Sequence, residues 1–564
     1  MLEGQGIREP GTTGGKGSCP FRLILGVVWA ISFGTGSIRA QAGLPEGPLT
    51  AVEQAWLEFR TLHDQLRLTR NLGATISPRG VPADSLTRRL SRESLRLQAM
   101  LKQIQPARIS PEDARAFTLL TRQLAELEAE VFFQPPDDTP EDCREALPEA
   151  LSWAPLDSLS ARTFACYGQA ARRIVVDRDT LDRLSILGLL GRTDDPERRR
   201  RLFLALEPVW RSVNGDDAQG SPYRAMVRLR RARWAASEAP FVERARGLGV
   251  ASDTLEGWLV AVLEAWRGIM PDSLVEPWDF YYRTGEASRR LSSRIPLDSL
   301  RPLTERYYRS LGADPARLGV RYDLVPRPGK YPISFTDFGA RTPIEPWIFT
   351  SYRIGGLDNL AELLHEVGHA VHLGAIRTRG AYTDWPDSDT FTEAIADIAA
   401  LELYEPEWQR RFLGSAAPLS SSLRAKYAGI VLDVAWSLLE IRAHRYPEQS
   451  PNQIWTELTR DYLRVRPHPE WSWWAMRGQL VNSPGYMLNY AFGAILIADL
   501  RAQLIASHGE FTTGDPGWYR WVAERLFRFG RERAALQVVE SFLGRGVSVA
   551  PLLADLSRAR LPAR

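Results

Sequence analysis

The stretch DNLAELLHEVGHAVHL, from Asp358 to Leu373, decides how this chain is read. Its leucines and alanines recur at helical spacing, and Asp358 stands where an N-cap is expected. Within it, His365-Glu366-Val367-Gly368-His369 sets two histidines four residues apart, on one face of the helix. Both imidazoles can then reach a single zinc ion at about 2.0–2.1 Å, and Glu366, beside the first histidine, can hold the attacking water.

A catalytic zinc site needs a third protein ligand and one open position. Downstream, DTFTEAIADIAALEL predicts a second helix, capped by Asp389 or Thr390, that carries Glu393 twenty-four residues after His369. Glu393 is the expected third ligand. Asp397, one turn further along the same face, is expected to orient a ligand histidine through its other ring nitrogen. His372 lies seven residues after His365, but a fourth protein ligand would close the site to water, so it reads as a packing or supporting residue.

The rest of the chain suits a helical, globular protein. Its 564 residues are 44% hydrophobic and 25% charged, which excludes disordered, collagenous and coiled-coil classes. A formal charge of +3 is too small for the phosphate neutralisation on which nucleic-acid binding rests. Apolar residues at helical spacing run from Leu49 to about Phe133 and resume near Leu156; the intervening residues 134–155, with five prolines, read as a connection. Ser110-Pro111 predicts a helix start. The arginine runs Arg198–Arg201 and Arg228–Arg233 read as solvated helix faces. β signal lies between Gly319 and Tyr352, in VRYDLVP and WIFTSY, so a small sheet is expected directly before the metal helix. The expected fold is mostly α, with that sheet beside the zinc helix.

Residues 1–42 read as a secretory signal peptide. Arg8, Lys16 and Arg22 precede an apolar run from Leu23 to Phe33, and Ala40-Gln41-Ala42 offers a cleavage site. No later stretch is expected to span a membrane. The mature protein, of formal charge +1, is expected to be secreted or periplasmic, where Cys143 and Cys166 can pair. Residues 43–155 would then form an N-terminal helical segment continuous with a catalytic region over 156–564.

HEVGHAVH followed by TEAIAD resembles the zinc peptidases whose third ligand is a glutamate on a separate helix. EAI-x-D is similar to angiotensin-converting enzyme, and HExGHxxH to thimet oligopeptidase and oligoendopeptidase F. GKYPISFTDF, WIFTSY and GGLDNLAELLHEVGH resemble the oligopeptidase arrangement of an edge strand leading into the metal helix. The resemblance spans roughly Pro196–Leu500 and implies a two-lobed helical shell around a deep peptide-binding channel. RGQLVNSPGYMLNYAFG resembles the oligopeptidase stretch whose histidine and tyrosines stabilise the oxyanion. Tyr490 and Tyr486 match its tyrosines; Gln479 and Asn482 stand near the place of the histidine, which this chain lacks. Trp471, Trp473 and Trp474 read as core or wall.

These readings converge on a zinc metallopeptidase that acts on short peptides, with one zinc ion per chain, as a monomer. A peptidyl-dipeptidase or carboxypeptidase that anchors the substrate carboxylate through Arg477 is one alternative. A secreted peptide-binding protein without turnover is the other.

Overall fold

A computed structural model describes residues 47–72, 74–132, 155–235, 239–327, 330 and 334–560. The signal-peptide reading of residues 1–42 and the Cys143 half of the cysteine pair lie outside the described residues. Cys166 is buried and disulfide-bonded.

The chain divides into two units between Asp138 and Thr139. The first contains α1 (Thr50–Asn71), α2 (Ala83–Gln103) and α3 (Pro111–Phe132). On α2 the buried residues Leu86, Leu90, Ser94, Leu97 and Leu101 recur at three- and four-residue steps, and this face packs on α1. The predicted start of α3 is present, with the Asp113 N–H donating to Ser110 Oγ at 3.1 Å.

The second unit is also mainly helical. α4 (Leu156–Arg172) leads into a hairpin of β1 (Ile174–Val176) and β2 (Asp179–Leu181). The helices that frame the site are α5 (Pro222–Trp234), α6 (Pro240–Gly247), α7 (Leu300–Ser310), α8 (Leu357–Ala375), α9 (Asp389–Ala400), α10 (Leu419–Arg445), the short α11 (Gln479–Asn482) and α12 (Met487–His508). The predicted sheet has three strands: β3 (Arg321–Asp323), β4 (Phe335–Arg341) and β5 (Ile344–Phe349). β5 is central, parallel to β3 and antiparallel to β4, so the strand that leads into α8 is not the expected edge strand.

Three local expectations are refined by packing. α8 is capped by Gly356 at φ +110°, and Asp358 sits inside the first turn, 3.1 Å from Ser288 Oγ and 3.6 Å from Arg192. Only glycine adopts that φ without strain, which turns the chain from sheet to helix. α9 is capped by Ser388, one residue before the predicted cap. The arginine runs are not uniformly solvated: Arg199 and Arg230 are buried, each at the inward position of its helix, while their neighbours are exposed. Arg199 bonds Asp279 and the carbonyls of Thr193 and Asp194.

α12 is long and apolar enough to cross a bilayer, yet it packs against α9 and α10 in the core. Its buried Asp499 and Arg501 are paired with Arg545 and Glu402, each at 2.6 Å. Trp473 and Trp474 are core residues, with the Trp474 Nε1–H donating to Asn452 Oδ1 at 2.7 Å.

Candidate functional site

α8 and α9 cross where Gly368 meets Ala396. A Cβ placed on Gly368 would lie 2.1 Å from the Ala396 carbonyl oxygen, so the missing side chain is what allows the two backbones to approach. The approach brings Glu393 of α9 to both histidines of α8. Glu393 Oε2 lies 3.4 Å from His365 Nε2 and 3.8 Å from His369 Nε2, and one ligand atom from each residue falls within 4.8 Å of the others. All three side chains are buried. Glu393 Oε2 and both ring nitrogens of His369 have no hydrogen-bond partner. Buried polar atoms left unpaired in this way are costly unless something occupies the space between them. Two imidazoles and a carboxylate with buried atoms converging on one point fit a zinc ion.

The electrostatics favour a cation there. Burial opposes charge on His365, but Asp397 and Glu393 outweigh it and hold the imidazole well above its ordinary range. Burial likewise raises Glu393, yet His365 and His369 bring it down to about 2. Asp397 Oδ1 sits 2.8 Å from His365 Nδ1. That contact places the Nδ1–H toward Asp397 and leaves Nε2 facing Glu393.

On the sheet side, Glu366 meets β4. Thr336 Oγ1 lies 2.6 Å from Glu366 Oε2 and 2.9 Å from its carbonyl oxygen. Burial pushes the Glu366 carboxyl up to about 8, with Glu362 and Glu393 adding to the shift against His365 and Thr336. A cation held next to it would draw that value down. His372 is packed between Trp385 and Phe527, at ring distances of 5.7 and 5.4 Å, and burial lowers it to about 3. It acts as a packing residue.

A pocket of about 460 Å³, the open space at its entrance included, borders His365, Glu393 and Asp397 and is walled by α9, α10 and α12. Half-buried Tyr490 lines it. Tyr486, one turn earlier, is buried and donates its hydroxyl to Glu393 Oε1 at 3.3 Å; its ring meets that of Tyr490 at 5.6 Å. Gln479 and Asn482 do not line this pocket. They belong to α11, whose Leu480 and Val481 carbonyls accept hydrogen bonds from buried Arg230. The amide that does line it is Asn489, beside Tyr490. Its Oδ1 accepts from Arg244 Nε at 3.0 Å and Thr390 Oγ1 at 2.9 Å, leaving Nδ2 as a buried donor without a partner. Arg477 is buried and donates to Asp433 Oδ1 at 2.8 Å, so its charge is already matched.

Thr336 and Asn489 are therefore additions to the sequence reading. Asn489 had a signal, since it shares the face of Tyr486, Tyr490 and Gly493; Thr336 had none.

Two predictions arise here. Glycine-to-alanine in a helix interior ordinarily stabilises by up to about 1 kcal/mol. Gly368→Ala should instead destabilise, because overpacking against backbone costs about 1–3 kcal/mol. A lowered melting temperature and at least about tenfold weaker zinc binding, by titration, are expected; an unchanged or raised melting temperature would refute the close-approach argument. The second concerns buried Glu440 of α10, whose Oε1 accepts the Gly485 N–H at 2.6 Å just before Tyr486. Burial raises it to about 7, against the Gly485 N–H, Arg230 and Arg244. A carboxyl raised on folding adds stability that is complete below its unfolded value, about 4.5, and is lost as pH rises through 7. Thermal melts should thus decline between pH 5 and pH 8, and Glu440→Gln should flatten that decline.

No protein-family profile and no curated protein matches the chain. Solved structures do. An M32 carboxypeptidase from Deinococcus radiodurans R1 superposes with a TM-score of 0.55 at 14% identity, over 90% of this chain and 97% of that one. An oligoendopeptidase F superposes with a TM-score of 0.52 at 15% identity, over 92% of this chain and 97% of that one. At these identities the likeness is one of fold: this chain is built on the helical fold that a carboxypeptidase and an oligoendopeptidase share.

Proposed function

We propose that the protein is a zinc-dependent peptidase that hydrolyses short peptides. The observation that carries this reading is the buried convergence of His365, His369 and Glu393, with ligand atoms left unpaired beside Glu366. His365, His369 and Glu393 would hold the ion. When bound, zinc polarises the scissile carbonyl and lowers the pKa of a water. The chain's own groups supply the rest. Glu366 takes a proton from the attacking water and returns it to the leaving amine, and Thr336 keeps its carboxyl in place. The Tyr490 hydroxyl donates to the carbonyl oxygen as negative charge develops on it. Asp397 fixes the tautomer of His365. Tyr486 steadies Glu393.

An oligopeptidase is the finer reading. The carboxypeptidase alternative would have Arg477 receive the substrate carboxylate, and the ion pair with Asp433 disfavours it. Action outside the cytoplasm, on a mature chain beginning after residue 42, belongs to the same proposal; the disulfide at Cys166 supports it.

The test combines metal analysis with a peptide digest. Purified protein should carry about one zinc per chain, and chelation should abolish hydrolysis in a way that added zinc restores. Absence of zinc after metal-replete purification would end the proposal. Mass spectrometry of the digest should show internal cleavage; release of C-terminal residues would favour the carboxypeptidase, and intact peptides a binding protein.

A further inference from the structure

The pocket beside the metal cluster has a composition that selects what enters it. It is lined by His365 and Glu393 of the cluster and by the apolar side chains of Ala394, Ala494, Ile430, Leu401 and Ile497. Its carboxylates are matched once the ion is held: Glu393 would ligate it, Asp397 lies 2.8 Å from the ligand His365, and Asp433 pairs with Arg477 at 2.8 Å. The unpartnered Asn489 Nδ2 is a donor, which gives a cationic side chain nothing to bind. A charged side chain would lose its hydration here without gaining a counter-charge. An apolar one gains burial against alanine, leucine and isoleucine and brings no charge to desolvate.

From this we infer that the pocket receives an apolar side chain of the substrate next to the scissile bond, and that the protein cleaves peptides beside leucine-, methionine- or phenylalanine-like residues in preference to charged ones. The inference rests on the peptidase reading above. Continuity supports it: the pocket wall shares His365 and Glu393 with the candidate metal centre, so a side chain flanking a bond placed there adjoins the pocket. Ala494, on α12 one turn after Tyr490, is a small residue of the lining and so helps set the room available.

The test is a library of short peptides that differ only at the residues flanking a single cleavable bond, digested by the zinc-loaded full chain. At one flanking position leucine should exceed alanine at least about tenfold in kcat/KM, the scale on which hydrophobic pockets discriminate. Lysine and glutamate should be poorer still. Ala494→Leu should lower the leucine-to-alanine ratio about tenfold or more, with zinc content as the check on folding. Ile497→Ala, which enlarges the pocket, should move preference toward bulkier residues such as tryptophan, and it covers the case in which Ala494→Leu fails to fold. Cleavage without such preference, a preference for charged residues, or ratios unmoved in zinc-loaded variants would overturn the pocket assignment while leaving the peptidase reading intact. If the zinc-loaded protein cleaves no peptide, the peptidase reading falls, and this inference with it.

Discussion

Glu366→Gln should reduce peptide hydrolysis by about two to four orders of magnitude, the range that a positioned general acid–base supplies. The substitution keeps size and shape, and Gln Oε1 can still accept from Thr336 Oγ1, which lies 2.6 Å from the native carboxyl oxygen. What disappears is the ability to accept the water proton and return it. Zinc content should stay near one per chain, because Glu366 is not among the three converging ligand atoms. Activity within threefold of the wild type, with zinc bound, would show that the carboxylate has no part in turnover. A loss of zinc would instead mean that Glu366 supports the cluster.

Tyr490→Phe is expected to lower kcat by about two to three orders of magnitude, as removal of one oxyanion donor does in other enzymes. Its ring, half-buried against Tyr486 in the pocket wall, remains in place. KM should change little, since the ground-state carbonyl carries less charge than the tetrahedral intermediate. Tyr486→Phe should behave differently. Its hydroxyl is spent on Glu393 Oε1, so the loss should appear first in zinc affinity, measured by competition with a chelating dye, and only through that in rate. A kcat for Tyr490→Phe within about threefold of the wild type would move the oxyanion role to another donor. Asn489, whose Nδ2 has no partner and which lines the same pocket, would then be the next residue to substitute, ahead of Gln479 and Asn482.

Part of this site was legible along one helix at a time. The four-residue interval between His365 and His369 fixes their shared face whatever surrounds them, and the same rule places Asp397 one turn beyond Glu393. The sequence by itself thus determined the two helices that carry the cluster, the identity of the three converging residues and the mostly helical class. Periodicity reports which face of an element is apolar, not which element covers it, and that gap accounts for what was missed. Every residue of β4 is buried, so it lacks the alternation of a half-exposed strand, and Thr336 went unread. Buried Arg199 and Arg230 looked like their solvated neighbours, because the carboxylate that pairs with Arg199, Asp279, lies 80 residues away and the carbonyls that Arg230 meets, Leu480 and Val481, about 250. Gly368 stands inside the motif, but its reason is the Ala396 carbonyl on another helix. Only the tertiary structure decided the helix crossing, the support of Glu366 from the sheet and the pocket beside the ligands, since each depends on contacts between segments that no local pattern encodes.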